Sequence, residues 1–178
     1  MDGMFKNIWT INALFLLAAF SLITESSADH CTFFKPCCIQ QSTYPLYLAQ
    51  NVSGDINKTP AFTYDYKDSV QSRWYFQLVK GDEYQIVNQH NMFVLAVDEF
   101  GESQSIVVTK NIGEQKADDS GIWMFELIQN NTALHIKNKL TQQYLEAYND
   151  RASKNQVYTR PFGDSSRKEL FKWKAIDC

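Results

Sequence analysis

The stretch Tyr84-Gln85-Ile86-Val87-Asn88, with Leu95 nine residues beyond its isoleucine, decides the fold because it returns twice. Cys38-Ile39-Gln40-Gln41 leads to Leu48, and His135-Ile136-Lys137-Asn138 leads to Leu145, at the same nine-residue spacing. A short β-rich run then closes on Phe62-Thr63, Val108-Thr109 or Tyr158-Thr159. Trp74, Trp123 and Trp173 follow, 26, 28 and 28 residues beyond their leucines. The isoleucines are offset by 47 and then 50 residues, so four landmarks recur three times in one order. Such a period marks a repeat architecture.

Each landmark sits in a run of four to seven residues rich in Val, Ile, Tyr, Phe and Thr, as in Trp74-Tyr75-Phe76-Gln77-Leu78 and Trp123-Met124-Phe125-Glu126-Leu127. Their alternation is that of strands. Turn-prone segments such as Lys80-Gly81-Asp82-Glu83 separate them, and the long connections precede the tryptophans, as at 110–122. No stretch carries a helical stripe, so almost no helix is expected over 38–177. Four strands in each of three repeats predict twelve short strands with pseudo-threefold symmetry. This is an all-β β-trefoil: a closed six-stranded barrel capped by three hairpins, which leaves no exposed barrel edge. A β-sandwich is the alternative, and it does not account for the threefold recurrence.

The middle repeat continues Leu95-Ala96-Val97, Val107-Val108 and Trp123-Met124-Phe125. It resembles the ricin-type β-trefoil lectins, whose units run Tyr-x-Ile-x-Asn, Leu-Asp-Val, a Val-x-x turn and Gln-x-Trp. The resemblance spans residues 38–177. In that family the Asp after the Leu accepts hydrogen bonds from two sugar hydroxyls, an aromatic ring stacks on the sugar, and an Asn or Gln completes the site. Here Ala49, Ala96 and Glu146 hold the Asp position, and Ser72, Gly121 and Phe171 replace the Gln of Gln-x-Trp. The resemblance therefore carries the core better than the sugar site. In the second repeat Asp98 lies on the same strand parity but further along, so only the third keeps a carboxylate in place. Glu146, Tyr148 and Asn149, with Tyr158 and Phe162 from the next strand and loop, are the candidate ligand-binding residues. Their bland reading is a polar turn beside surface aromatics. Tyr64 and Tyr66 are further aromatic candidates at strand ends, while the three tryptophans read as core.

Met1 to Ala28 has a basic start, an apolar run from Ile8 to Ile23 and small residues Ser26-Ser27-Ala28, the pattern of a secretory signal peptide. The run is short of the ~20 apolar residues a membrane span needs. Residues 1–28 are thus expected to be a signal peptide and 29–178 one secreted, extracellular domain, with a monomer expected. Export makes Cys31, Cys37, Cys38 and Cys178 a disulfide set with three possible connectivities. The cysteine and histidine spacing gives little support to zinc, and no metal or cofactor is expected. In a trefoil the first and last strands are neighbours, and strand parity favours Cys38–Cys178, with Cys31–Cys37 as the second bond. Asn51, Asn57 and Asn130 open N-x-Ser/Thr sequons, the pattern of a glycoprotein. A glycan on Asn51 would cover the first-repeat pocket beside Ala49.

The 178 residues are 44% hydrophobic and 21% charged, a globular composition that excludes disordered, collagen-like and coiled-coil classes. A net charge of −3 without a basic run excludes the electrostatic footprint of nucleic-acid binding. His30, His90 and His135 form no metal-spaced pair and flank no nucleophile elbow, and Asp118-Asp119 reads as a solvated pair. Catalysis is not expected. A secreted, non-catalytic, lectin-like carbohydrate-binding protein is the leading reading. The alternative is a secreted trefoil acting on a protein, as an inhibitor, a cytokine-like ligand or a venom or salivary effector, with 110–122 as its presenting loop.

Overall fold

The computed structural model describes residues 35–51, 57–112, 118–128, 132–147, 155–163 and 165–178. The first repeat supplies β1 (Cys37–Gln41), β2 (Tyr47–Gln50), β3 (Lys58–Tyr64) and β4 (Arg73–Lys80). The second supplies β5 (Glu83–Asn88), β6 (Val94–Val97), β7 (Ser105–Lys110) and β8 (Trp123–Ile128). The third supplies β9 (Ala133–Asn138), β10 (Tyr144–Glu146), β11 (Asn155–Gln156), β12 (Tyr158–Arg160) and β13 (Trp173–Asp177).

Antiparallel pairing closes six of these strands into a ring: β1 on β4, β4 on β5, β5 on β8, β8 on β9, β9 on β13, and β13 back on β1. The hairpins β2–β3, β6–β7 and β10–β12 lie outside it. At their far side β3 pairs with β7, β7 with β12, and β11 with β3. The result is a β-trefoil-like architecture. The described residues form thirteen strands where twelve were expected, because the third strand of the last repeat divides at Val157. Asn155–Gln156 runs along β3, and Tyr158–Arg160 runs along β7 and β10. Val157 sits between them, donating its N–H to Ala61 O at 3.0 Å and accepting from Val107 N at 3.3 Å. A segment that must serve two partners in different directions bends where it changes from one to the other.

The expectation of almost no helix also needs correction. Single-turn 3-10 segments η1 (Val70–Ser72) and η2 (Asp119–Gly121), and the longer η3 (Ser165–Phe171), each end just before a tryptophan. The Ser69 side chain accepts from Gln71 N and Asp118 from Ser120 N, so two of the three are capped locally. A helix of one turn is too short to write a periodic stripe into the sequence.

The landmarks meet in the core. Ile39, Leu48, Trp74, Ile86, Leu95, Trp123, Ile136, Leu145 and Trp173 are all 0% exposed. Each tryptophan ring also donates its Nε1–H to the carbonyl of its own repeat's leucine: Trp74 to Leu48 at 2.9 Å, Trp123 to Leu95 at 2.8 Å, and Trp173 to Leu145 at 3.0 Å. The ring thereby fills volume without leaving its one polar atom unpaired. The amide at the end of each repeat's first strand has a second shared job. Gln41, Asn88 and Asn138 donate to Glu169 O, Gln71 O and Ser120 O, tying each first strand to the 3-10 segment packed on it.

The ends are closed covalently. Cys38 is bonded to Cys178, with 5.1 Å between their Cα atoms and a sequence separation of 140. In the chain-entropy model a loop of that size stabilises by roughly 5 kcal/mol. Cys37 is also disulfide-bonded, and Cys31, the remaining cysteine, lies outside the described residues. The expected signal peptide and Asn130 lie outside them as well. Asn57 is exposed, whereas Thr59 of its sequon is buried, its hydroxyl bonded to Thr109 and to Gln50. No helix among the described residues is long and apolar enough to cross a membrane.

Candidate ligand-binding site

Glu146 ends β10, and the ladder sets it opposite Tyr158 of β12. Two steps along the same face, Arg160 pairs with Tyr144, which makes Arg160 the diagonal neighbour of Glu146. The Arg160 Nε lies 2.6 Å from Glu146 Oε2. Arg167, on η3, approaches the other oxygen, with Nε at 2.6 Å and Nη2 at 2.5 Å from Oε1. One carboxylate is therefore shared by two guanidiniums. Glu146 is 1% exposed, so its carboxylate is not presented at the surface as a free acceptor. Burial pushes its carboxyl above the usual range, against the pull of Arg167 and Arg160 in the other direction.

The surroundings are polar as well. Arg160 also bonds Gln104 Oε1 through Nη2, and its guanidinium carbon lies 6.0 Å from the centre of the Tyr158 ring. Below β10, Gln143 is buried with both ends used. Its Oε1 accepts from Ser105 Oγ at 3.0 Å and Thr159 Oγ1 at 2.9 Å, and its Nε2 donates to Gly101 O and Glu102 O. Gly101 itself admits no side chain, since a Cβ there would stand 2.2 Å from Gln104 O. Gln143, Gly101 and Glu102 also line a pocket of about 600 Å³ between the second and third repeats, with Phe100, Leu140 and Pro161.

Phe162 belongs to a separate cluster. Its ring lies 4.7 Å from His135, 5.4 Å from Tyr144 and 5.4 Å from Phe171, measured between centroids. His135 is buried there with its Nε2 unpartnered among the described residues. Burial lowers its pKa, against an upward pull from Glu126, its cross-strand neighbour.

Of the expected site residues, the ladder thus joins Glu146 to Tyr158 and sets Phe162 in other company. Tyr148 and Asn149 lie outside the described residues. Arg160, Arg167 and Gln143 were not anticipated. Arg160 was within reach of the sequence, because aligning Leu145 with Thr159 across the hairpin places it beside Glu146. Arg167 carried no such signal, since it arrives from η3. Among the described residues no group of acidic, histidine or cysteine side chains is arranged to hold a metal ion.

No protein-family model matches the sequence, and no curated protein does. Solved structures resemble it in fold. The designed threefold-symmetric protein ThreeFoil superposes with a TM-score of 0.70 at 12% identity, over 80% of this chain and 99% of its own. The ricin B-like lectin of Macrolepiota procera, solved in complex with lactose, gives 0.66 at 16% identity over 84% and 99%. A salivary protein from Culex quinquefasciatus, of the Cysteine and Tryptophan-Rich family, gives 0.65 at 18% identity over 85% and 98%. At these identities the likeness is one of fold: the chain has the architecture of a β-trefoil along nearly the whole length of each of these three proteins.

Proposed function

We propose that the chain is a secreted, non-catalytic β-trefoil that binds a glycan at its third repeat. The observation that carries this reading is the Glu146–Arg160–Arg167 cluster in a hairpin whose counterparts hold Ala49 and Ala96. Burying ionised groups costs several kcal/mol per ion, and such a cluster is weak evidence for stability. The second hairpin has its own ion pairs, Asp98 with Lys58 and Lys110, but only the third buries a carboxylate at the position of Ala49 and Ala96, and that burial points to recognition. Tyr158 adds a half-buried ring beside the cluster, and the pocket between Phe100 and Leu140 adds a concave neighbour. The lactose complex of the Macrolepiota procera lectin supports a sugar as the ligand on this architecture. The disulfide between Cys38 and Cys178 supports export, since such bonds persist in oxidising compartments.

A second reading, an extracellular protein as ligand, is favoured by Phe100 and Leu140, which stand 62% and 46% exposed at the rim of the pocket. A glycan array beside a panel of secreted proteases separates the two. Binding to glycans that falls when Tyr158→Ala is introduced supports the first. Protease inhibition without glycan binding overturns it.

A further inference from the structure

A neutral sugar presents hydroxyl groups, and a site built on a carboxylate needs that carboxylate facing outward. Glu146 is buried and does not present its carboxylate to a ligand. Its Oε1 takes Nε and Nη2 of Arg167, its Oε2 is ion-paired with Arg160 at 2.6 Å from Nε, and it is 1% exposed. What reaches the surface from this cluster is cationic. The Arg160 and Arg167 side chains each keep 27% exposure. The Nε of Arg160 is buried and, although ion-paired with Glu146, makes no hydrogen bond among the described residues, so that exposure belongs to the rest of its side chain. Glu146 and Gln104 use Nε and Nη2 of Arg160, and Glu146 uses the same two nitrogens of Arg167. The Nη1 of each guanidinium has no partner among the described residues. Two guanidiniums on one carboxylate leave an excess positive charge in a chain whose net charge is −3.

We infer that this site takes an anionic glycan, a sugar bearing a carboxylate or a sulfate, with the free edges of Arg160 and Arg167 on the anion and Tyr158 against the sugar ring. The inference rests on the glycan reading above and names its ligand class. The planar guanidinium presents paired N–H groups at the spacing of carboxylate and sulfate oxygens. Glu146 is then a positioning residue. It holds two long side chains in place before the ligand arrives, which reduces the ordering that binding would otherwise require. The weakly acidic chain as a whole does not attract polyanions, so the inference is of one local site rather than a coated surface.

Calorimetric titration of the secreted protein with 3′-sialyllactose, galactose 6-sulfate, lactose and sodium sulfate tests it. At least one charged sugar should bind about tenfold or more tighter than lactose, the gain expected of a charge-assisted hydrogen bond. That preference should shrink in high salt, a readout that needs no variant. Arg167→Gln should abolish it, and Arg167→Lys, which keeps the charge, should restore part of it. A role confined to bolting η3 onto the hairpin predicts no preference and no salt effect. Lactose bound as tightly as the charged sugars overturns the inference and leaves the glycan reading standing. No binding of any sugar overturns both. Sodium sulfate bound as tightly as galactose 6-sulfate also overturns it, because the sugar would then contribute nothing.

Discussion

The first and third repeats share a skeleton and differ in what they place on it. In both, the tryptophan ring donates to the leucine carbonyl, Trp74 to Leu48 and Trp173 to Leu145. In both, the amide at the end of the first strand accepts from the turn that follows, Gln41 from Thr43 N and Asn138 from Leu140 N. The hairpins diverge. Leu46 and Ala49 fill the first with apolar groups, and Tyr47 faces Tyr64 across its ladder. At the corresponding positions the third holds Gln143 and Glu146, and Tyr144 faces Arg160. The barrel is indifferent to this exchange because the hairpins stand outside the ring of six strands. Architecture and ligand chemistry are therefore written in different residues, and one hairpin changes its chemistry without touching the core.

The largest expected effect tests the shared part. Trp74→Ala, Trp123→Ala and Trp173→Ala should each destabilise by about 3–5 kcal/mol, read by denaturant unfolding, since each removes a large buried ring. Near-equal costs hold the three repeats equivalent. A cost near zero for one of them breaks the comparison at its foundation.

Next comes the part that differs. Glu146→Ala strands two partly buried guanidiniums and should cost about 3 kcal/mol, at the low end for breaking a buried ion pair because the arginines keep some contact with water. Adding Arg160→Tyr and Arg167→Met, which gives the third hairpin the apolar character of the first, should recover most of that loss. If it does not, the triad serves the fold more than recognition.

The smallest effect concerns pH. Position 135 precedes the landmark isoleucine, and its counterpart in the second repeat is Gln85. Burial holds the folded-state pKa of His135 below its unfolded value, so the unfolded chain binds the proton more readily in that interval. The stability His135 contributes is present above its unfolded pKa, about 6.5, and is lost as pH falls towards the lowered folded value. The melting temperature should decline over that interval, and His135→Gln should flatten the decline. A profile identical in the variant would assign the acid sensitivity to other groups.

The recurrence of Ile, Leu and Trp was sufficient to read the all-β class, the closed barrel and the burial of those nine residues. It was sufficient because a hydrophobic period acts locally: each residue reports its own face of its own strand. Strand parity and the meeting of the chain ends likewise led to Cys38–Cys178. The break at Val157 and the three 3-10 turns were not legible. The break is imposed by partners from two other repeats, and 3-10 segments of three to seven residues leave no α-helical stripe.

The candidate site divides in the same way. The sequence by itself determined that only the third hairpin keeps a carboxylate at the position of the family's Asp, Glu146, and put Tyr158 on the strand that follows. Only the tertiary structure decided that this carboxylate is buried and shared. Arg167 approaches it from η3, 21 residues away in the chain, and Arg160 approaches it diagonally across the sheet. Whether a charged group faces a ligand or another charge depends on which distant segments fold over it, and no local pattern records that.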